Sequence, residues 1–215
     1  MANDGEAQNP ARKVRVGVGM GVDEFVMAST YPLESQIVDF AGEFQAVQIT
    51  EPYHLELLDG EAILDLGRLG GPNELTSITL KDGKVADLVV TLQNGRTDLH
   101  GAMSQAGSLH EWFEQRGYKE GPDDRMFVIQ QSNGPAKTAL ISTFEGAEKA
   151  FMDPRLKLSE VQLFGLQKGD VGVGVSLYNT RRMRAAQSKE FDDESNAATE
   201  RSYMLTMYIT QVSKF

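Results

Sequence analysis

The chain has 215 residues, 40% of them hydrophobic, with no cysteine and a formal net charge of −10. That is material for one large or two small globular units with a real core. It excludes a disulfide framework, Cys-ligated zinc and a thiol nucleophile, and repulsion from phosphates argues against nucleic acid as a partner.

Residues 1–12 are polar, with neither the basic nor the apolar region of a signal peptide, and read as a flexible leader. A native cytosolic start and a start from which a lipid anchor has been removed both fit. No apolar run approaches the roughly 20 residues that a membrane-spanning helix needs, so no transmembrane span is expected. Val14, Val16 and Val18 alternate with polar or small residues and predict a short strand. Gly17, Gly19 and Gly21 follow at spacing two. A dinucleotide fingerprint would need a glycine where Val22 stands, so these glycines are expected to form a flexible connection into a helix. Val22, Phe25, Val26 and Ser29 share a helical face, Asp23 and Glu24 occupy its first turn, and the helix should end before Tyr31-Pro32.

The segment 44–93 reads as a meander with strands at Phe44–Ile49, Tyr53–Leu58, Ala62–Leu66, Ser77–Leu80 and Lys84–Leu92. Asp59-Gly60, Asp82-Gly83 and Asn94-Gly95 mark turns, because these pairs supply the positive φ angles of tight hairpins. Thr97–Arg116 is the best helix. Thr97 is its expected N-cap, Leu99, Met103, Ala106, Leu109 or His110, and Phe113 form its apolar stripe, and Gly117 sits where a C′ glycine belongs. Gly101 and Gly107 weaken it by roughly 1 kcal/mol each, which close packing on a sheet would explain. A second meander is expected from Met126–Gln130, Thr138–Thr143, Val161–Leu166, Val171–Asn179 and Ser202–Val212, with turns at Asn133-Gly134 and Lys168-Gly169-Asp170 and a helical turn over Glu145–Phe151. In Val171–Val175 one face is all valine and the other all glycine.

These elements make an antiparallel α+β fold in which a helix followed by a β-meander occurs twice. The expected division is a leader at 1–12, a first helix-plus-meander subdomain at 13–95 and a second at 96–215.

The usual chemical signatures are missing. His100 and His110 lie ten apart on one helix, about 280° around its axis, so they do not converge on a metal. There is no Gly-x-Ser-x-Gly elbow and no phosphate loop. The acidic pairs Asp23-Glu24, Asp123-Asp124 and Asp192-Asp193 lack calcium-loop spacing. Arg181, Arg182 and Arg184 read as a solvated guard on a strand edge. No metal and no cofactor are expected. The link over 183–200 is long and turns acidic, and it carries Phe191 beside Asp192, Asp193 and Glu194. These four are the candidate partner-binding residues, because an aromatic anchor ringed by charge is a common hot-spot design.

Val16-Gly-Val-Gly-Met-Gly-Val-Asp-Glu-Phe-Val26 resembles the helix opening of small bacterial envelope lipoproteins of the outer-membrane-assembly and lactamase-inhibitor type, although their Gly-x-Pro after the helix is absent. That resemblance implies a helix packed on an antiparallel sheet that binds a partner protein. The chain is similar in type to the immunity proteins that neutralise secreted antibacterial toxins: small, acidic, α+β and without catalytic motifs. The expected function is therefore non-enzymatic binding, in which an acidic surface occludes the active site of a toxin with a basic surface, in the periplasm or at the envelope. A cytoplasmic location is the alternative. A hydrolase with a dispersed site, or an envelope assembly factor, are the competing readings.

Overall fold

The structure, a computed structural model, describes residues 12–40, 44–49, 51–70, 76–120, 126–130, 137–141, 144–153, 158–183 and 201–212. Among the described residues the elements follow in the order β1 (Lys13–Val16), α1 (Val22–Ala28), β2 (Ile37–Phe40), β3 (Phe44–Ile49), β4 (Tyr53–Asp59), β5 (Ala62–Leu69), β6 (Thr76–Lys81), β7 (Lys84–Thr97), α2 (Leu99–Glu114), β8 (Lys119–Glu120), β9 (Met126–Gln130), β10 (Lys137–Ile141), α3 (Phe144–Met152), β11 (Glu160–Lys168), β12 (Val171–Asn179) and β13 (Tyr203–Gln211). A 3-10 turn at Leu33–Gln36 precedes β2. The fold is α+β and mostly sheet, as the turn spacing predicts.

A ten-stranded sheet runs in the order β10-β9-β11-β12-β13-β7-β6-β3-β2, with β8 beside β11. Its pairs are antiparallel. A second sheet of three strands has the order β1-β4-β5, and β1 pairs with β4 in parallel. The strand β7 spans the boundary drawn between residues 95 and 96 and pairs with β13 near the C-terminus.

The segment 44–93 is not one meander: β3 pairs with β6, while the β4-β5 hairpin leaves the large sheet for β1. An apolar strand face such as Tyr53, Leu55 and Leu57 buries equally well in either sheet, so local pattern cannot choose between them. Asn94-Gly95 is not a turn but lies inside β7. There the register jumps from Met204↔Asn94 to Tyr203↔Thr97, so the glycine lies within an irregularity of the ladder. The N-cap of α2 is Asp98 rather than Thr97, its side chain accepting from the Gly101 amide at 2.8 Å. The strand β2 carried no turn signal and was not predicted.

Asn133-Gly134 lies outside the described residues; the turns at Asp59-Gly60, Asp82-Gly83 and Lys168-Gly169-Asp170 close hairpins as their residues dictate. Asp82 and Gly83 both adopt positive φ and close the two-residue β6-β7 hairpin. Gly117 ends the α2 segment at φ +84°. The connection from β1 to α1 is pinned, contrary to the flexible link expected. The Gly19 amide donates to the Val85 carbonyl at 2.8 Å, Val22 donates to Gly83 and Val85 donates back to Met20. A Cβ on Gly17 would stand 2.7 Å from the Leu58 carbonyl oxygen, so only glycine lets β1 pass the β4-β5 hairpin this closely.

The core lies on one face of the large sheet. There Val47, Ile78, Leu80, Leu88, Val90, Val173, Val175, Leu205 and Met207 are buried. Over them pack α2, through Ala102, Ala106, Leu109 and Phe113, and the inner side of the small sheet, through Val14, Val16, Leu55 and Leu57. Each such leucine or phenylalanine contributes roughly 1.5–3 kcal/mol on burial.

Candidate binding face

Strand alternation sends every second residue of the large sheet to the opposite, outer face. Its cross-strand rows follow from the register. One row runs Val38, Ala46, Thr79, Asp87, Thr210, Gly172. The next runs Ser77, Val89, Tyr208, Gly174, Gly165, and a third runs Thr91, Thr206, Ser176, Gln162. Among the described residues no helix packs on this face. Seven large hydrophobic side chains are exposed in the described part of the chain, and four of them, Val38, Phe44, Tyr208 and Val212, lie on this otherwise mostly polar face.

Two tyrosines organise its middle. The hydroxyls of Tyr178 and Tyr208 are 2.9 Å apart. Tyr178 stands opposite Met204 and Tyr208 opposite Gly174, so the pair spans the Ser176–Thr206 row and accounts for the burial of those two hydroxyl residues. Burial, then the hydrogen bonds to Tyr208 and to Glu160, push the Tyr178 phenol above its ordinary range. The glycine face of β12 thus serves as a low floor beside Tyr208, and the side chain of Val212 lies over Gly172, within 3.1 Å of where a Cβ would be.

At the end of the face, between the β6-β7 turn and the start of β12, is an open cleft of about 570 Å³. Phe44 and Val212 wall it, Ala86 floors it, and Asp82, Asp87 and Asp170 line it together with Lys81. Asp87 accepts from the Thr210 hydroxyl and Asp170 from the Gln211 amide at 3.3 Å. The Lys81 ammonium is drawn aside over the Phe44 ring, 5.3 Å from its centroid. A far smaller cavity, about 60 Å³, lies on the inner side among Leu57, Asp59, Phe113, Tyr118 and Ile209.

Phe191, Asp192, Asp193 and Glu194 lie outside the described residues, as do Asp123, Asp124 and Arg184. Asp23 and Glu24 sit in the first turn of α1, where the helix dipole favours them. Arg182 is not a solvated guard. It is half-buried, donates to the Leu158 carbonyl at 2.7 Å and lies 5.6 Å from the Phe151 ring centroid, so it ties the end of β12 to α3. The histidines are dispersed: His54 pairs with Asp65 at 2.7 Å, while His110 faces Glu114 and packs edge-on against Phe164. Among the described residues no group of three or more His, Asp or Glu is placed to hold a metal ion, and no helix is long and apolar enough to cross a membrane.

Sequence reasoning did not single out Tyr178, Tyr208, Asp87 or Phe44. The available signal was the polar alternation Thr206, Tyr208, Thr210 along β13, which marks an outward face but not what stands beside it. No protein-family model matches the chain, and neither a curated protein nor a solved structure matches it.

Proposed function

We propose that the chain is a non-enzymatic protein-binding protein that docks its partner on the outer face of the large sheet. The observation that carries this reading is the asymmetry of the sheet: helices and a second sheet cover one face, while the other leaves Val38, Phe44, Tyr208 and Val212 exposed. A sheet face with a tyrosine pair near its centre and exposed Val38, Phe44 and Val212 around it offers the aromatic and apolar anchors that protein interfaces use. The formal charge of −10 favours a basic partner, which it would steer.

In its most specific form the proposal is an immunity protein that neutralises a secreted antibacterial toxin by covering its active site, at the bacterial envelope. The resemblance of Val16–Val26 to envelope lipoproteins and the acidic, motif-poor composition support that form. A coarser twofold order goes with it: α1 precedes the strands β2–β7 and α2 precedes the later ones.

The test is affinity capture of partners by the full chain, followed by titration of the purified partner against the wild type and a Tyr208→Ala variant. Expected are a stoichiometric complex with a basic protein, about tenfold weaker with the variant, and rescue of cells from that protein's toxicity. Turnover of a hydrolase substrate with no complex would defeat the proposal.

A further inference from the structure

We propose that the partner engages the end of this face through a basic segment, one lysine or arginine side chain of which enters the cleft between Asp82, Asp87 and Asp170. This rests on the reading of the outer face as the docking surface, and adds which end of it binds and what chemistry it takes.

Shape, charge and position point the same way. The cleft is amphipathic: Phe44 and Val212 are 38% and 39% exposed, and they present apolar walls suited to the methylene stem of a long cationic side chain. Its rim is acidic. Three carboxylates face one ammonium, and that ammonium is held to the side over Phe44. Each ionised carboxylate offers about four acceptor sites. Asp87 uses one on Thr210 and Asp170 one on Gln211, so both retain capacity for a cation.

The cleft is also continuous with the tyrosine-bearing face. Thr210 borders the cleft, and Tyr208, two residues earlier on the same strand, belongs to the tyrosine pair. A segment alternating cationic and apolar residues would therefore place its charge in the cleft and its apolar groups on the sheet. The acidic stretch Phe191–Glu194 has the wrong sign to fill the cleft itself.

The probe is a short blocked peptide alternating arginine and valine, titrated against the full chain at low salt, with the glutamate–valine peptide as control. The arginine peptide should bind and the glutamate peptide should not. Asp87→Asn with Asp170→Asn should weaken binding about tenfold, and Phe44→Ala several-fold, whereas Lys81→Gln should tighten it. Glu61→Gln with Asp65→Asn removes the same charge from the small sheet and should leave affinity within about twofold. Equal weakening by both double variants would mean non-specific attraction, and would overturn the inference, as would no binding by the wild type. A dimer that Asp87→Asn with Asp170→Asn dissociates would place a second copy in the cleft and overturn it too. A captured partner that binds the cleft variant with wild-type affinity would sink the inference and leave the protein-binding reading standing. Peptide bound at the cleft with no partner captured would do the reverse.

Discussion

Asp59 and Lys168 are 109 residues apart in the chain and 2.9 Å apart in the fold. Their ion pair joins the tip of the β4-β5 hairpin in the small sheet to the end of β11 in the large one. The phenol of Tyr118 reaches the same carboxylate at 3.4 Å, and burial together with the Asp59 charge pushes Tyr118 up to about 12. The folded state therefore holds this proton more tightly than the unfolded one. The stability that Tyr118 contributes is present below its unfolded value near 10 and is lost as pH rises toward about 12. Tyr118→Phe should flatten the alkaline side of a pH–stability curve measured by urea unfolding. Asp59→Asn should lower the Tyr118 titration in ultraviolet absorbance without restoring its ordinary value, because burial is the larger cause. Lys168 is 45% exposed, so Lys168→Ala should cost less than about 1 kcal/mol.

Glu56 on β4 is buried between Lys13 and Arg15 on β1, and the Lys13 hydrogen bond is the main reason its carboxyl sits below the ordinary glutamate value. Its folded state favours the ionised form, so its contribution is full above the unfolded value of about 4.3 and is lost as pH falls through the depressed folded value. Glu56→Gln should cost about 1–3 kcal/mol at neutral pH. In parallel denaturation series the gap between variant and wild type should close as the pH drops below about 4. A constant gap down to the acid limit would mean that packing, not charge, holds Glu56.

The two glycines of α2 should respond in opposite ways to alanine. A Cβ at Gly107 meets nothing within 4 Å, so close packing does not explain this glycine. Gly107→Ala should stabilise by about 1 kcal/mol through helix propensity, raising Tm by roughly 2–4 °C. A Cβ at Gly101 would collide with the Thr97 hydroxyl and stand 3.2 Å from the capping Asp98 oxygen. Gly101→Ala should therefore give no gain, or a loss, in the same calorimetric comparison.

Arg182→Lys separates a structural tie from an edge guard. Lysine keeps the charge but not the planar group that reaches the Leu158 carbonyl and the Phe151 ring. A loss of about 1 kcal/mol in chemical denaturation is expected, where a guard acting through charge alone would lose nothing.

The sequence by itself determined the elements and their ends wherever the cause is local. Asp82-Gly83 closes its hairpin because those residues reach positive φ cheaply, and Val173 and Val175 face inward because a strand alternates. It also showed that β12 has a valine side and a glycine side. The tertiary structure alone decided which strands share a sheet. Leu55 and Leu57 satisfy a core in either one, and the choice of β1 as partner depends on contacts across some forty residues, such as Arg15 with Glu56. The same holds for the binding face. Asp87, Asp170, Phe44 and Tyr208 come from four separate strands or turns, and each alone is an ordinary surface residue. They become a cleft beside an aromatic pair only when β7 and β13 pair at the centre of the sheet and bring the ends of β3, β6 and β12 alongside. Side-chain convergence of this kind is set by strand order and register, which a one-dimensional pattern does not encode.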